Sequence, residues 1–122
     1  GTHGSTYGGN PLGCAVGHAV LSEVAAEAFL AGVNRKAGLL RQKLEGLVAS
    51  FPEVFDHVRG AGLMLGIKCK ALNTAVVKAG YAAGVLTVPA GDNVIRLLPP
   101  LNISDAEIGE AVTRLTQAAE TV

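Results

Sequence analysis

Leu12, Ala15, Val16, Ala19, Val20 and Val24 recur at helical spacing and place one apolar face on a helix expected over residues 11–29. Ala31-Gly32 is expected to end it. A second helix follows over about residues 35–50, with Asn34 as its cap. Leu40, Leu44, Leu47, Val48 and Phe51 form its apolar stripe, and Arg35, Lys36, Arg41, Lys43 and Glu45 its solvated face. Then the period changes. Residues 54–59 and 63–68 read as a hairpin around Gly60-Ala61-Gly62. Residues 73–83 suit a short helix closed by Gly84 in the left-handed conformation. Residues 85–88 and 94–98 read as two further strands around the turn Ala90-Gly91-Asp92-Asn93, and Pro99-Pro100 stops the second. Ser104-Asp105-Ala106-Glu107 is a capping box. It starts a last helix to about residue 120, with Ile108, Ala111, Val112, Leu115 and Ala119 inward. This order predicts an α+β fold, a small, mostly antiparallel sheet with helices packed on one side.

Composition narrows the function classes. The chain has 122 residues, 49% hydrophobic and 16% charged, which suits one folded domain. Its formal net charge is zero, so no footprint for nucleic acid or an anionic membrane surface is expected. The longest uncharged run, residues 4–22, holds glycines, a proline, an asparagine and a histidine. It reads as a loop plus a buried helix rather than a membrane span. No basic segment followed by an apolar one opens the chain, so no signal peptide is expected, and the location is read as cytoplasmic. Cys14 and Cys69 are too few for a disulfide framework and are expected as free thiols. Cys14 and His18 lie one turn apart with no further ligand nearby, so no metal is expected. Gly13 and Gly17 each cost about 1 kcal/mol inside the first helix. Close approach of another backbone, in the core or on a partner, is the expected offset. Gly60, Gly62 and Gly66 have the wrong spacing for a dinucleotide fingerprint, and no helix opens after them.

The chemistry-bearing stretch is the first dozen residues, Gly1-Thr2-His3-Gly4-Ser5-Thr6-Tyr7-Gly8-Gly9-Asn10-Pro11-Leu12. Its glycines allow positive φ and close approach, and Ser5 and Thr6 supply hydroxyls that a phosphate would use. Asn10 can cap a helix whose first turn holds Pro11. A flexible linker ending in a helix cap fits the same letters. The P-loop pattern is absent, since no lysine precedes Lys36, and a nucleophile elbow would need glycine where His3 stands. The segment resembles a loop of the class III, pyridoxal-phosphate-dependent aminotransferases, which reads His-Gly-Ser-Thr-Phe/Tyr-Gly-Gly-Asn-Pro. The resemblance implies that residues 1–11 are a cofactor-phosphate loop, and that Thr6, with Ser5 beside it, holds the cofactor phosphate of the neighbouring subunit in a homodimer. Residues 12–122 would be a single domain, the C-terminal small domain of a fold-type-I enzyme.

Arg96 is the one charge in the apolar run 94–98. Buried, it needs a carboxylate or phosphate partner; at a strand edge, it reaches water. Val94-Ile95-Arg96-Leu97-Leu98-Pro99-Pro100-Leu101 resembles the class III segment Arg-x-x-Pro-Pro-Leu, whose arginine faces the active site and helps bind the substrate carboxylate. In some relatives that arginine pairs with an acidic residue of the large domain instead. Arg59-Gly60-Ala61-Gly62-Leu63 resembles the first hairpin of the small domain, and Arg59 is read as structural. Within the class, residues 86–96 are most similar to the branch acting on N-acetylornithine and 2-oxoglutarate in arginine biosynthesis, with the ornithine branch close. The class's cofactor-bonding lysine and its aspartate on the pyridine nitrogen match nothing here. The lysines present, Lys36, Lys43, Lys68, Lys70 and Lys78, sit in none of those motifs. The chain is therefore expected to be part of a longer enzyme, inactive by itself, and to self-associate through the face of residues 12–24. The alternatives are another class III ω-aminotransferase, a freestanding non-catalytic interaction module with this fold, or a small phosphate-binding protein using Ser5 and Thr6.

Overall fold

The computed structural model describes residues 3–122. Gly1 and Thr2, which open the expected loop, lie outside the described residues. The chain forms two compact units, Gly1–Gly32 and Val33–Val122.

In the first unit, Asn10 caps α1 (Pro11–Val24). Its side chain accepts the Gly13 N–H at 2.8 Å, and Pro11 occupies the first turn. A Cβ on Gly13 would fall 2.9 Å from the Asn10 amide nitrogen. Glycine at 13 thus makes room for the cap, not for a second backbone. Gly17 has open space around its missing Cβ. Within this chain the helix expected to be buried is uncovered, which leaves open the face expected to meet a partner. α1 has no buried residue, and Leu12, Val16, Val20 and Leu21 are all more than half exposed.

The first helix also ends earlier than expected, at Val24. α2 (Glu27–Ser50) runs unbroken through Ala31, Gly32 and Asn34. Gly32 costs about 1 kcal/mol but removes no backbone donor, so a 24-residue helix absorbs it. Glu27 places a carboxylate in the first turn, where the helix dipole favours it.

The second unit is an α+β layer. Its elements are β1 (Phe55–Ala61), β2 (Met64–Cys69), α3 (Asn73–Ala82), β3 (Val88–Ala90), β4 (Val94–Leu97) and α4 (Asp105–Ala119). The strands order β1-β2-β4-β3, with every pairing antiparallel. Leu40, Leu44 and Leu47 of α2, Val76 and Val77 of α3, and Ile108, Leu115 and Ala119 of α4 bury one sheet face, built from Phe55, Leu65, Ile67, Cys69, Ile95 and Leu97. Burying each leucine or isoleucine contributes about 1.5–3 kcal/mol. Phe55 and Val58 are three apart, so strict alternation would send them to opposite faces. A register irregularity between Phe55 and His57 brings both to the core.

Two local expectations shift. The hairpin turns at Gly62-Leu63, not at Gly60–Gly62. Gly62 takes φ +55°, and Gly60 stays in the strand at φ +116°, where a Cβ would strike the Met64 carbonyl. The third strand is Val88–Ala90, not residues 85–88. Val85 is used earlier, donating its N–H to the Gly80 carbonyl while Gly84, at φ +79°, closes α3 in a Schellman motif. Pro89 then sits on an edge strand, where its missing N–H costs little. The capping box forms as expected. The Glu107 N–H donates to Ser104 Oγ at 3.2 Å, and the Ser104 N–H donates to the Glu107 carboxylate at 2.7 Å.

One side chain braces the sheet to α3. Asn93 accepts the Asn73 N–H at 2.9 Å and donates to the Cys69 and Ala71 carbonyls at 2.8 Å each. It caps α3 from another loop, since the cap residue Leu72 has no side chain for the task. Asn73 in turn donates to the Ala90 and Val94 carbonyls. Replacing Asn93 with alanine strands three partly buried backbone groups and puts a less tolerant residue at φ +50°. Asn93→Ala is expected to cost about 2–4 kcal/mol and lower Tm by roughly 10 °C in a thermal melt. An unchanged Tm would show that the brace carries no stability.

Candidate functional site

On β4, Val94, Ile95 and Leu97 are buried and Arg96 is exposed. Arg96 lies opposite Gly66 of β2, which lies opposite Arg59 of β1. Directly paired residues share a face, so the two arginines flank the glycine on the face turned away from the helices. Two strand spacings put their Cα atoms about 10 Å apart. A Cβ at Gly66 would lie 2.8 Å from Val94 Cγ1. Val94 therefore folds over the glycine and is 3% exposed although it belongs to the open face. A shallow hollow of about 180 Å³ results, lined by Arg59, Met64, Gly66, Ala90, Val94 and Arg96.

The cations on this face differ in what holds them. Lys68 Nζ donates to the Asp92 carboxylate and to the Asp92 carbonyl, both at 2.6 Å. Arg59 donates to the other oxygen of the same carboxylate at 2.9 Å. Arg96 makes no ion pair or side-chain hydrogen bond among the described residues. Asp92 can take this position because it tolerates φ +61° in the β3–β4 turn. The hydrogen bond from Lys68, then its charge, then the Arg59 hydrogen bond hold the Asp92 carboxyl below its ordinary range. Arg59 is thus tied to the β3–β4 turn. The part played by Lys68 and Asp92 was not expected, although strand alternation already puts Lys68 two residues from Gly66 on the same face.

The loop before α1 is a run of local turns. The Gly8 N–H donates to Ser5 Oγ at 2.8 Å, and the Asn10 N–H and side-chain amide both reach the Tyr7 carbonyl. Gly9 takes φ +78°. Ser5 Oγ accepts, so its own O–H is free to donate, and the exposed Thr6 hydroxyl has no partner among the described residues. Two adjacent hydroxyls and glycines with open space at positions 4 and 9 suit a phosphate approaching from outside. Ser5 and Thr6 belong to one compact unit and Arg96 to the other. Of the lysines, Lys68 is held by Asp92 and Lys70 by the Pro52 carbonyl at 2.7 Å.

A family model described as aminotransferase class-III matches residues 1–119. The chain belongs to the class III aminotransferase family. That family uses pyridoxal phosphate, and the free hydroxyls of the Ser5-Thr6 loop fit its phosphate. The chain is 61% identical over 98% of its length to an acetylornithine aminotransferase of Rhodobacter capsulatus, and 53% identical over 98% to one of Mesorhizobium japonicum. It spans about 30% of the length of each. Among solved structures, an acetylornithine aminotransferase from Elizabethkingia anophelis matches all of this chain and 33% of its own, with TM-score 0.86 and 33% identity. An ornithine aminotransferase from Toxoplasma gondii, described with pyridoxal phosphate partly occupying its active site, matches all of this chain and 30% of its own, with TM-score 0.85 and 32% identity.

Acid should loosen the second unit. Asp92, Asp105 and Glu107 all have lowered pKa values. The causes are chiefly the Lys68 hydrogen bond, the Arg35 hydrogen bond and the Ser104 N–H, respectively. A lowered carboxyl stabilises the fold fully above its unfolded pKa, and that contribution is lost as pH falls through the folded value. Tm is expected to be level from pH 7 to about 5 and to fall below about pH 4. A melt series that stays level to pH 2 would contradict these assignments.

Proposed function

We propose that this chain is the C-terminal part of an acetylornithine aminotransferase, which moves an amino group between N-acetylornithine and 2-oxoglutarate in arginine biosynthesis. The carrying observation is that the two bacterial relatives matching 98% of the chain both bear that name. In this reading residues 1–11 are the cofactor-phosphate loop and residues 12–122 the small domain of a cytoplasmic enzyme. It needs neither nucleic acid nor a membrane. No single helix among the described residues is long and apolar enough to cross a bilayer.

Thr6 donates its hydroxyl to the cofactor phosphate, and Ser5, already braced against Gly8, donates beside it. Pyridoxal phosphate, when bound, supplies the electron sink for chemistry at the amino-bearing carbon. Arg96 takes the substrate carboxylate through two parallel N–H···O bonds, and Gly66 keeps the approach clear. The loop acts across a homodimer, with the exposed apolar side chains of α1 as part of the contact. The proton-moving lysine belongs to the rest of the enzyme, so the 122-residue chain alone transfers no amino group.

A second reading, an ornithine aminotransferase, is favoured by the Toxoplasma gondii match. Substrate preference separates the two. The full-length enzyme is expected to show kcat/KM for N-acetylornithine at least tenfold above that for ornithine, roughly 1.4 kcal/mol of discrimination. The reverse preference would replace the first reading with the second. Thr6→Val is expected to raise the cofactor Kd about tenfold or more, the usual cost of a lost hydrogen bond to a charged group, and titration of apoenzyme measures it. An unchanged Kd removes Thr6 from the phosphate site. Val16→Asp with Val20→Asp is expected to shift the mass in light scattering from dimer toward monomer. A dimer that persists would place the contact elsewhere.

A further inference from the structure

Leu86 and Leu98 rim a hollow in the second unit. They are 83% and 61% exposed, yet Leu40 of α2, Leu97 of β4 and Ile108 of α4, which line the same hollow, are buried in the core. Every side chain lining it is apolar, and its volume is about 120 Å³. A dry cavity of roughly 150 Å³ admits a molecule the size of benzene, so this one has room for a single aliphatic side chain. A lone exposed leucine needs no explanation. Two of them over a floor of core side chains have the shape of a seat for an apolar anchor. We infer that this hollow receives an apolar side chain from the remainder of the same polypeptide, with Leu86 and Leu98 as the rim of the contact.

The occupant follows from length, position and chemistry. The chain spans about 30% of the length of each bacterial relative, so most of such an enzyme lies beyond these residues. Leu98 stands two residues past Arg96, and the alternation of buried and exposed positions puts both on the same side of the strand run. In the proposed function the proton-moving lysine comes from the rest of the enzyme. Groups that reach a carboxylate held at Arg96 must therefore approach this end of β4, and the hollow lies beside that approach. Its lining carries no charge, which suits an aliphatic anchor and leaves an ionic one unpaired. Covalent continuity makes the contact intramolecular. A small seat then suffices, well under the total of about 1,200 Å² that a free complex buries. A second copy has a different surface to use in the same reading, the exposed side chains of α1. The inference rests on the reading of the chain as part of a longer aminotransferase.

Hydroxyl-radical footprinting of the unmodified full-length holoenzyme tests it, read peptide by peptide against the same enzyme unfolded in urea. Oxidation of Leu86 and Leu98 is expected to fall at least about threefold on folding, as it does for a side chain with packed neighbours, and a smaller fall overturns the inference. Dimers assembled from light-isotope and heavy-isotope subunits then identify the occupant, with Leu86 replaced by a photoreactive phenylalanine derivative. Cross-links confined to one isotope support an occupant from the same polypeptide. Cross-links that join the two isotopes put a second copy in the hollow and overturn it. Should that variant fail to fold, Leu98 carries the probe instead. A full-length protein that transfers no amino group sinks the underlying reading whatever the footprint. An active enzyme with an unprotected rim sinks this inference alone.

Discussion

The side-chain amide of Asn93 ties three segments together. It fastens the β3–β4 turn to the end of β2 through Cys69 and Ala71, and it closes the start of α3 through Asn73. The backbone at Asp92 and Asn93 is left-handed, which few residues tolerate, so the amide's three bonds also offset a local cost. What depends on it is register. β4 pairs with β2 so that Ile95 meets Ile67 and Arg96 meets Gly66. A slip of one residue would send Arg96 into the core and Ile95 into water. An unpaired buried guanidinium costs several kcal/mol, so the brace and the alternation enforce the same pairing.

The two faces of the sheet do different work. The helix-facing side is closed by leucines, isoleucines and valines from α2, α3 and α4, and it carries the stability. The other side holds Arg59, Lys68, Arg96 and Asp92 around a glycine. Exposed ion pairs there add little to folding free energy. They hold Arg59 and Lys68 against Asp92, while Arg96 has no ion pair among the described residues. Gly66 matters for the same reason, because with no side chain it lets Val94 fold down and keeps the two arginines from being separated by a ridge. The open face is therefore the one whose side chains can vary without unfolding the domain.

How much of this was readable in the sequence differs from feature to feature. Ser104 with Glu107 and the left-handed Gly84 were legible because each is a local rule, satisfied within four residues. Arg96 stood out as a charge in an apolar run. The α1–α2 break at Ala25 and Ala26 was not legible, since neither alanine nor Glu27 is a breaker, while Gly32, which looked like one, is accommodated in a continuous helix. The hairpin turn moved because two glycines two positions apart compete for it, and only the Met64 carbonyl at Gly60 decides between them. β3 moved because Val85 was drawn into the helix cap. The Asp92 pairings link residues 24 and 33 positions apart, and spacing along the chain says nothing about those. Ser5 and Thr6 were legible only as letters of a family loop. Their local turns fit a phosphate but do not by themselves select one.

The two candidate grips share a physical design. Ser5 spends its oxygen on Gly8, and Asn10 spends its amide on Tyr7 and Gly13, so the loop is shaped by its own bonds while Thr6 stays free. Asp92 is spent on Arg59 and Lys68, so the sheet face is shaped by its own pairs while Arg96 stays free. In each case neighbouring groups make internal bonds, while the Ser5 O–H, the Thr6 hydroxyl and the Arg96 guanidinium have no partner among the described residues. A donor whose neighbours are already satisfied needs no rearrangement when the anion arrives, and less binding energy goes into ordering it. On the proposed reading, such preorganisation would let both groups act from an exposed surface.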